Sequence, residues 1–215
     1  MFMAFTNAWA DVQMGQPDIH VGAIWQYRKI DGFTNETVYK FSQRVVSVND
    51  HEIVIQLKNT IKEGAWLRYF TREWNPVDVG DIKFDPFRPE FKFPMSIGGT
   101  WNLNFGLTEH GRSFLSLFKG KIVALEKVTV PAGTFDAYRI EIDAETRGTD
   151  ANAHVSNSHI ITWYSPEVQK YIRRESTTSS DGRVRNKNID ELIEYSLKAN
   201  PGTTNENTSE SGAPF

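Results

Sequence analysis

Residues 128–142 read VTVPAGTFDAYRIEI. Two runs rich in β-branched and aromatic residues flank Pro131-Ala132-Gly133, and the second run alternates. Pro131 brings a fixed φ to an early turn position, and Gly133 a φ that branched residues resist. This is the pattern of two antiparallel strands joined by a tight turn. It places Tyr138, Ile140 and Ile142 on one face and Glu141, Asp143 and Glu145 on the other.

The same period-two pattern extends in both directions. Upstream, VGAIWQYRKI sets Trp25 and Tyr27 against Gln26 and Arg28. ETVYKFSQRVV sets Tyr39, Phe41 and Val45 against Lys40, Ser42 and Arg44. HEIVIQLK sets Ile53, Ile55 and Leu57 against Gln56 and Lys58. Asn49-Asp50 is turn chemistry between the second and third runs, and AWLRYFTREW is a fourth run. Further on, TWNLNFGL alternates with Trp101, Leu103, Phe105 and Leu107 inward. SFLSLFKGKIVALEKVTV reads as two strands or one bent at Gly120, and HIITWYSPEVQKYIRRES as two strands around Pro166. IDELIEYSL, 189–197, suits either a helix or a last strand, and its β surroundings favour the strand.

Between the two groups lies a connector, 76–94, with Pro76, Pro86, Pro89 and Pro94 interleaved with Phe84, Phe87, Phe91 and Phe93. Prolines are foreign to a central strand, and phenylalanines in this number are foreign to a free linker. The expected arrangement is a segment packed across a sheet or over one barrel opening. A weak internal repeat runs across it. Gly22-Ala23-Ile24-Trp25 and Gly98-Gly99-Thr100-Trp101 each open an alternating strand. Phe41 and Phe118, then Val45 and Ile122, follow at matching distances. Trp74-Asn75-Pro76 and Trp163-Tyr164-Ser165-Pro166 close each half. The repeats would span 20–76 and 96–166 of a single β domain, 11–198.

At 215 residues with 39% hydrophobic and 13% aromatic content, the chain can bury one sizeable core. The net charge of -3 gives no global attraction for nucleic acid. No run approaches the ~18 apolar residues of a membrane-spanning helix. The chain has no cysteine, which excludes disulfides and thiolate chemistry. Residues 1–10, MFMAFTNAWA, end in a small-x-small pattern, Ala8-Trp9-Ala10, of the kind found before an export cleavage site. The expectation is a remnant of an export signal, with the mature chain starting near Asp11. From Ala199 the chain turns small and polar, and 199–215 is expected to be disordered.

VPAGTFDAYRIE, followed by TWYSPEV and a charged strand, with the VGAIWQY opening, resembles a pattern in exported bacterial β-rich domains of unknown function. Those domains are similar in architecture to the curved-sheet lipoprotein carriers of the periplasm. The resemblance spans about 20–197 and implies an envelope-associated β fold, without catalytic residues to carry over. It departs at Gln169-Lys170, where the pattern calls for glycine.

No catalytic constellation stands out. His154 and His159 are five apart and point to opposite faces of a regular strand, so they do not suit a metal. Asp78, Asp81, Asp85 and Glu90 lack the compact glycine-turned alternation of a calcium loop and read as solubilising charges. Glu141, Asp143 and Glu145 read as a solvated strand face. Arg173, Arg174, Arg183, Arg185 and Lys187, near Tyr171, read as a solvated basic hairpin. No nucleophile elbow, Walker loop or dinucleotide fingerprint occurs, so neither cofactor nor metal is expected.

The sequence therefore predicts an all-β protein: an antiparallel, strongly curved sheet, half-barrel or barrel-like, located in the periplasm or secreted. Its expected role is a non-enzymatic binding or assembly module of the envelope, for an apolar or lipid-like ligand or an envelope protein. An envelope hydrolase with scattered residues, or a carbohydrate-binding module using exposed tryptophans, are the alternatives. The residues expected to line the binding face are Trp25, Tyr27, Phe41, Trp101, Phe105, Ile140 and Trp163, closed over by Phe84, Phe87, Phe91 and Phe93.

Overall fold

The structure is a computed structural model that describes residues 13–150 and 154–198. The expected export remnant and the polar tail lie outside the described residues. Six strands precede the long connection: β1 Ile24–Asp31, β2 Thr37–Val48, β3 Glu52–Asn59, β4 Trp66–Thr71, β5 Pro76–Asp78 and β6 Ile82–Asp85. Six follow it: β7 Thr100–Glu109, β8 Arg112–Val130, β9 Gly133–Gly148, β10 Val155–Ser165, β11 Lys170–Ser180 and β12 Arg183–Ser196. Each pairs antiparallel with its neighbours in the chain, and β12 returns to β1 from Ile24↔Ser196 to Asp31↔Asn188. The sheet closes into a barrel, which leaves no long unpaired edge. Residues 189–196 belong to β12, as their β surroundings indicate.

Alternation sets the core. Trp25, Tyr27, Val45, Ile53, Ile55, Ile122, Ile140, Ile142, Tyr164 and Leu192 are almost wholly buried. On β9, Ile140 and Ile142 point inward, whereas Glu141 and Asp143 meet Arg139 and His159 on the outside at 2.6 and 2.8 Å. The turn in the opening stretch is as tight as its residues imply. Val130 pairs with Gly133, leaving only Pro131 and Ala132 between the strands. Gly133 has φ 142°, a conformation that a side chain strains.

The run 113–130 is a single strand, and its irregularity lies one turn of the pleat beyond Gly120. The register slips between Ile122 and Ala124, leaving Val123 as the extra residue of a bulge. Gly120 has a different reason to be glycine. A Cβ there would fall 2.2 Å from the indole of Trp101, its cross-strand partner. The ring lies flat where that side chain would stand.

The two Gly-x-x-Trp segments hold corresponding places. The Gly22 N–H donates to the Val45 carbonyl and the Val45 N–H to Ala23, at 2.9 and 2.8 Å. The Gly98 N–H donates to Ile122 and the Ile122 N–H to Gly99, at 2.8 and 2.9 Å. Gly22 and Gly98 have φ 94° and 86°. The closing segments match in a different register. Phe70 pairs with Pro76 as Tyr164 pairs with Tyr171, each beside a bulge. Trp74 thus answers to the turn before Tyr171, and Trp163 to Tyr69.

The connector is partly wall. Pro76 and Phe84 lie in β5 and β6, and these two short strands meet through Asp78↔Lys83. The remainder, 86–99, is a strap. The strap crosses the barrel end that also carries the turns 49–51, 72–75, 131–132 and 166–169. Among the described residues, the opposite end carries the connections 32–36, 60–65, 79–81, 110–111 and 181–182.

Candidate functional site

Three tryptophans staple the strapped end. The indole N–H of Trp25 donates to the Val168 carbonyl, that of Trp74 to Gln169, and that of Trp101 to Pro89, each at 2.9 Å. A buried indole N–H needs such a partner, and here every partner is the backbone of a loop. Phe91 and Phe93 press edge-on against Tyr164, both with centroids 5.6 Å away. Asn75 clamps Phe91, donating to its carbonyl at 3.0 Å and accepting from its N–H at 2.8 Å. The backbone of Met95 pairs with that of Met14. This end is tied down.

Below the strap sits an ionic cluster. Glu90 is 6% exposed and accepts two bonds from the Arg174 guanidinium, at 2.7 and 2.8 Å. It also pairs with Arg88. Burial opposes its ionisation, but Arg174 and Arg88 outweigh burial and hold its carboxyl down at about 2. Burial likewise works against the charge of Arg174, and Glu90 more than offsets it. Glu90 is thus a buried anchor of the strap and not one of the solubilising acids its sequence neighbourhood suggests.

Lys170 lies beside the cluster. It is 3% exposed and has no hydrogen-bond or ion-pair partner among the described residues. Its Nζ stands 3.2 Å from the ring centroid of Trp74, 4.9 Å from Trp25 and 5.4 Å from Phe70. Burial pulls its pKa well below the lysine range; the ring faces favour the ammonium. Gln169, where the family pattern calls for glycine, has φ 57°. Glutamine thus occupies a left-handed backbone conformation that favours glycine, immediately before the buried Lys170.

Around these residues the barrel is hollow. One cavity, about 310 Å³, runs from Lys170 and Arg68 past Phe41, Gln43 and Leu57 to Asp190. A second, about 450 Å³, is lined on one side by Phe84, Phe105, Phe114, Phe118 and Ile160 and on the other by polar residues that include Ser116, Thr146, His154, Ser158 and Thr178. Arg88, Arg174 and Ser176 border both. Ile82, Leu107, Phe114 and Thr178, toward the unstrapped end, are only half-buried. The second cavity therefore reaches toward the unstrapped end, whereas the first lies beneath the strap, bordered by Arg88, Glu90 and Phe91 of the strap and by Trp74 and Lys170.

Most residues expected at the binding face converge on the interior. Trp25, Tyr27, Phe41, Phe84, Phe91, Phe93, Phe105 and Ile140 share one buried cluster, with Trp101 packed against it. Only Phe41 and Phe91 border the first cavity, and Phe84 and Phe105 the second. Phe87 lies outside the cluster, half-buried. Trp163 is on the outer face. Its neighbours Thr162 and Tyr164 are the inward residues of β10, and its indole N–H meets Glu126 at 2.6 Å with Arg173 over the ring. None of the five described tryptophans stands exposed. The basic hairpin divides likewise. Arg173 pairs outside with Glu175 and Glu191, whereas Arg174 points in. The cause is a bulge at Ile172, between the pairs Tyr164↔Tyr171 and Trp163↔Arg173, which shifts the inward phase by one residue.

No family model and no curated protein sequence matches the chain. Solved structures share its fold. A candidate lipoprotein from Parabacteroides distasonis is 14% identical, with TM-score 0.51, over 86% of this chain and 100% of that one. A candidate exported protein with a YmcC-like fold from Bacteroides fragilis is 13% identical, with TM-score 0.52, over the same shares. At such identities the likeness is one of fold. The exported β-rich architecture that the hairpin motif resembles is the architecture of this barrel.

Proposed function

Starting from the fold it shares with these proteins, we propose that the chain is an exported protein of the bacterial envelope. It holds an apolar, lipid-like ligand in the hollow interior of its barrel and does no chemistry on it. One observation carries this reading: the barrel is hollow beneath its strap, with a cavity of about 310 Å³ that reaches Trp74, Phe91 and Lys170 and a second of about 450 Å³ beside it. The second cavity is amphipathic, with Phe84, Phe105, Phe114, Phe118 and Ile160 facing a run of serines and threonines, Ser116, Thr146, Ser158 and Thr178 among them, and its volume falls within the ~300–1,000 Å³ range of ordinary ligand pockets. A barrel serving only as a scaffold would gain by filling it, since voids forfeit dispersion contacts.

An environment-sensitive apolar dye tests the proposal. The native protein should bind it saturably, near one per chain, and a long-chain lipid should displace it. Ser116→Trp, which fills the second cavity from β8, should weaken binding tenfold or more while the melting transition stays cooperative. A dye that binds only as the protein begins to unfold would overturn the reading.

A further inference from the structure

The first cavity has an unbalanced charge. Five basic side chains, Lys29, Arg68, Arg88, Lys170 and Arg174, border it against two acids, Glu90 and Asp190. Lys29 pairs with Asp190 at 3.0 Å, and Glu90 is shared by Arg88 and Arg174. Arg68 and Lys170 are left without a hydrogen-bond or ion-pair partner among the described residues. Gln43, 5% exposed, adds an amide oxygen with no partner. Buried cations are ordinarily paired, because desolvating an unpaired charge is costly. Lys170 is the strongest anomaly, an amine almost wholly buried and bordering open space, with only ring faces to meet it.

The same cavity offers Phe41, Leu57, Phe70, Trp74 and Val79 as apolar wall. Basic groups set into a hydrocarbon wall, Lys170 between Trp74 and Phe70, describe the complement of an acid-headed amphiphile. We infer that the first cavity receives the anionic head of an amphiphilic ligand, a carboxylate or a phosphate, between Arg68 and Lys170. The inference rests on the lumen being the ligand site and specifies the head group that site selects. Arg68 supplies a planar fork of donors, and Lys170 a donor fixed by Trp25, Trp74 and Phe70. Glu90 keeps Arg88 and Arg174 occupied, so they wall the site without competing for the ligand.

The test is calorimetric titration of the full chain with four ligands of one chain length: octanoate, octyl phosphate, 1-octanol and octylamine. Octanoate or octyl phosphate should bind at least about tenfold more tightly than octanol, the scale of one hydrogen bond to a charged group. Which of the two is preferred identifies the source of the anion. Octylamine should be the weakest. In Lys170→Met and Arg68→Met, octanol should bind as before, while the advantage of the anion falls tenfold or more. Methionine suits the three rings without a charge, so Lys170→Met should melt no lower than the parent. Should it fail to fold, Arg68→Met carries the test. Octanol or octylamine binding as tightly as octanoate, or an anion preference unmoved by either substitution, would overturn the head-group inference and leave the lumen site standing. No binding of any of the four would overturn both.

Discussion

Glu90→Gln is expected to cost about 3–5 kcal/mol of stability, the penalty for stranding buried charge by removing its partner. Arg174 and Arg88 both spend their charge on this carboxylate. Glutamine fits the space but offers them one neutral oxygen. The pH dependence supplies an independent check. The folded carboxyl titrates at about 2, below the ~4.3 of an unfolded glutamate. A depressed pKa stabilises the fold above the unfolded value, and that contribution disappears as pH falls from about 4 towards 2. The shift corresponds to about 3 kcal/mol, consistent with the mutational figure. Urea denaturation across pH 2–7 should show a steep acid limb in the parent and a shallower one in Glu90→Gln. Equal limbs and an unchanged midpoint would show that the strap is not held by this cluster.

Trp25→Ala should be comparably severe, about 3–5 kcal/mol for truncating a fully buried tryptophan. Three losses combine. The indole is 0% exposed and edge-on to Trp74 with centroids 5.5 Å apart. Its N–H leaves the Val168 carbonyl unbonded. Lys170 also loses one of its three rings. Trp25→Phe restores much of the volume but not the hydrogen bond, so it should fall between, about 1–3 kcal/mol below the parent. Equilibrium unfolding of the two variants gives the ordering. A phenylalanine variant as stable as the parent would show that the indole N–H does not tie down the 166–169 turn.

These two residues mark the limit of what the sequence discloses. Trp25 is legible because strict alternation in β1 places it inward with Tyr27. The same rule reads β9 and β7 correctly, and the Pro131–Gly133 turn declares itself through two residues with restricted or unusual φ. Glu90 is not legible. It sits in a proline-rich strap without period, just beyond Asp81 and Asp85, which are exposed, and Asp78, which pairs with Lys83. Its partner Arg174 lies 84 residues away and turns inward only because Ile172 bulges. A single extra residue reverses the faces of a strand, and the sequence gives no sign of where it falls. Trp163 escapes a sequence reading for the same reason: a period-two pattern has no means of choosing between Trp163 and Tyr164 when both are aromatic. The one available hint was Lys170, a lysine flanked by Tyr171 and Ile172 at the point where the family pattern changes.

The central claim, that the hollow interior of the barrel is a ligand site, is tested most directly on protein purified from its own host. Native mass spectrometry of that protein, followed by organic extraction, should reveal a one-to-one adduct that extraction removes. The released molecule should be an apolar chain carrying an acid group, and the stripped protein should rebind it. Protein that arrives with its bare mass, and that stays bare when offered envelope lipids, would contradict the account.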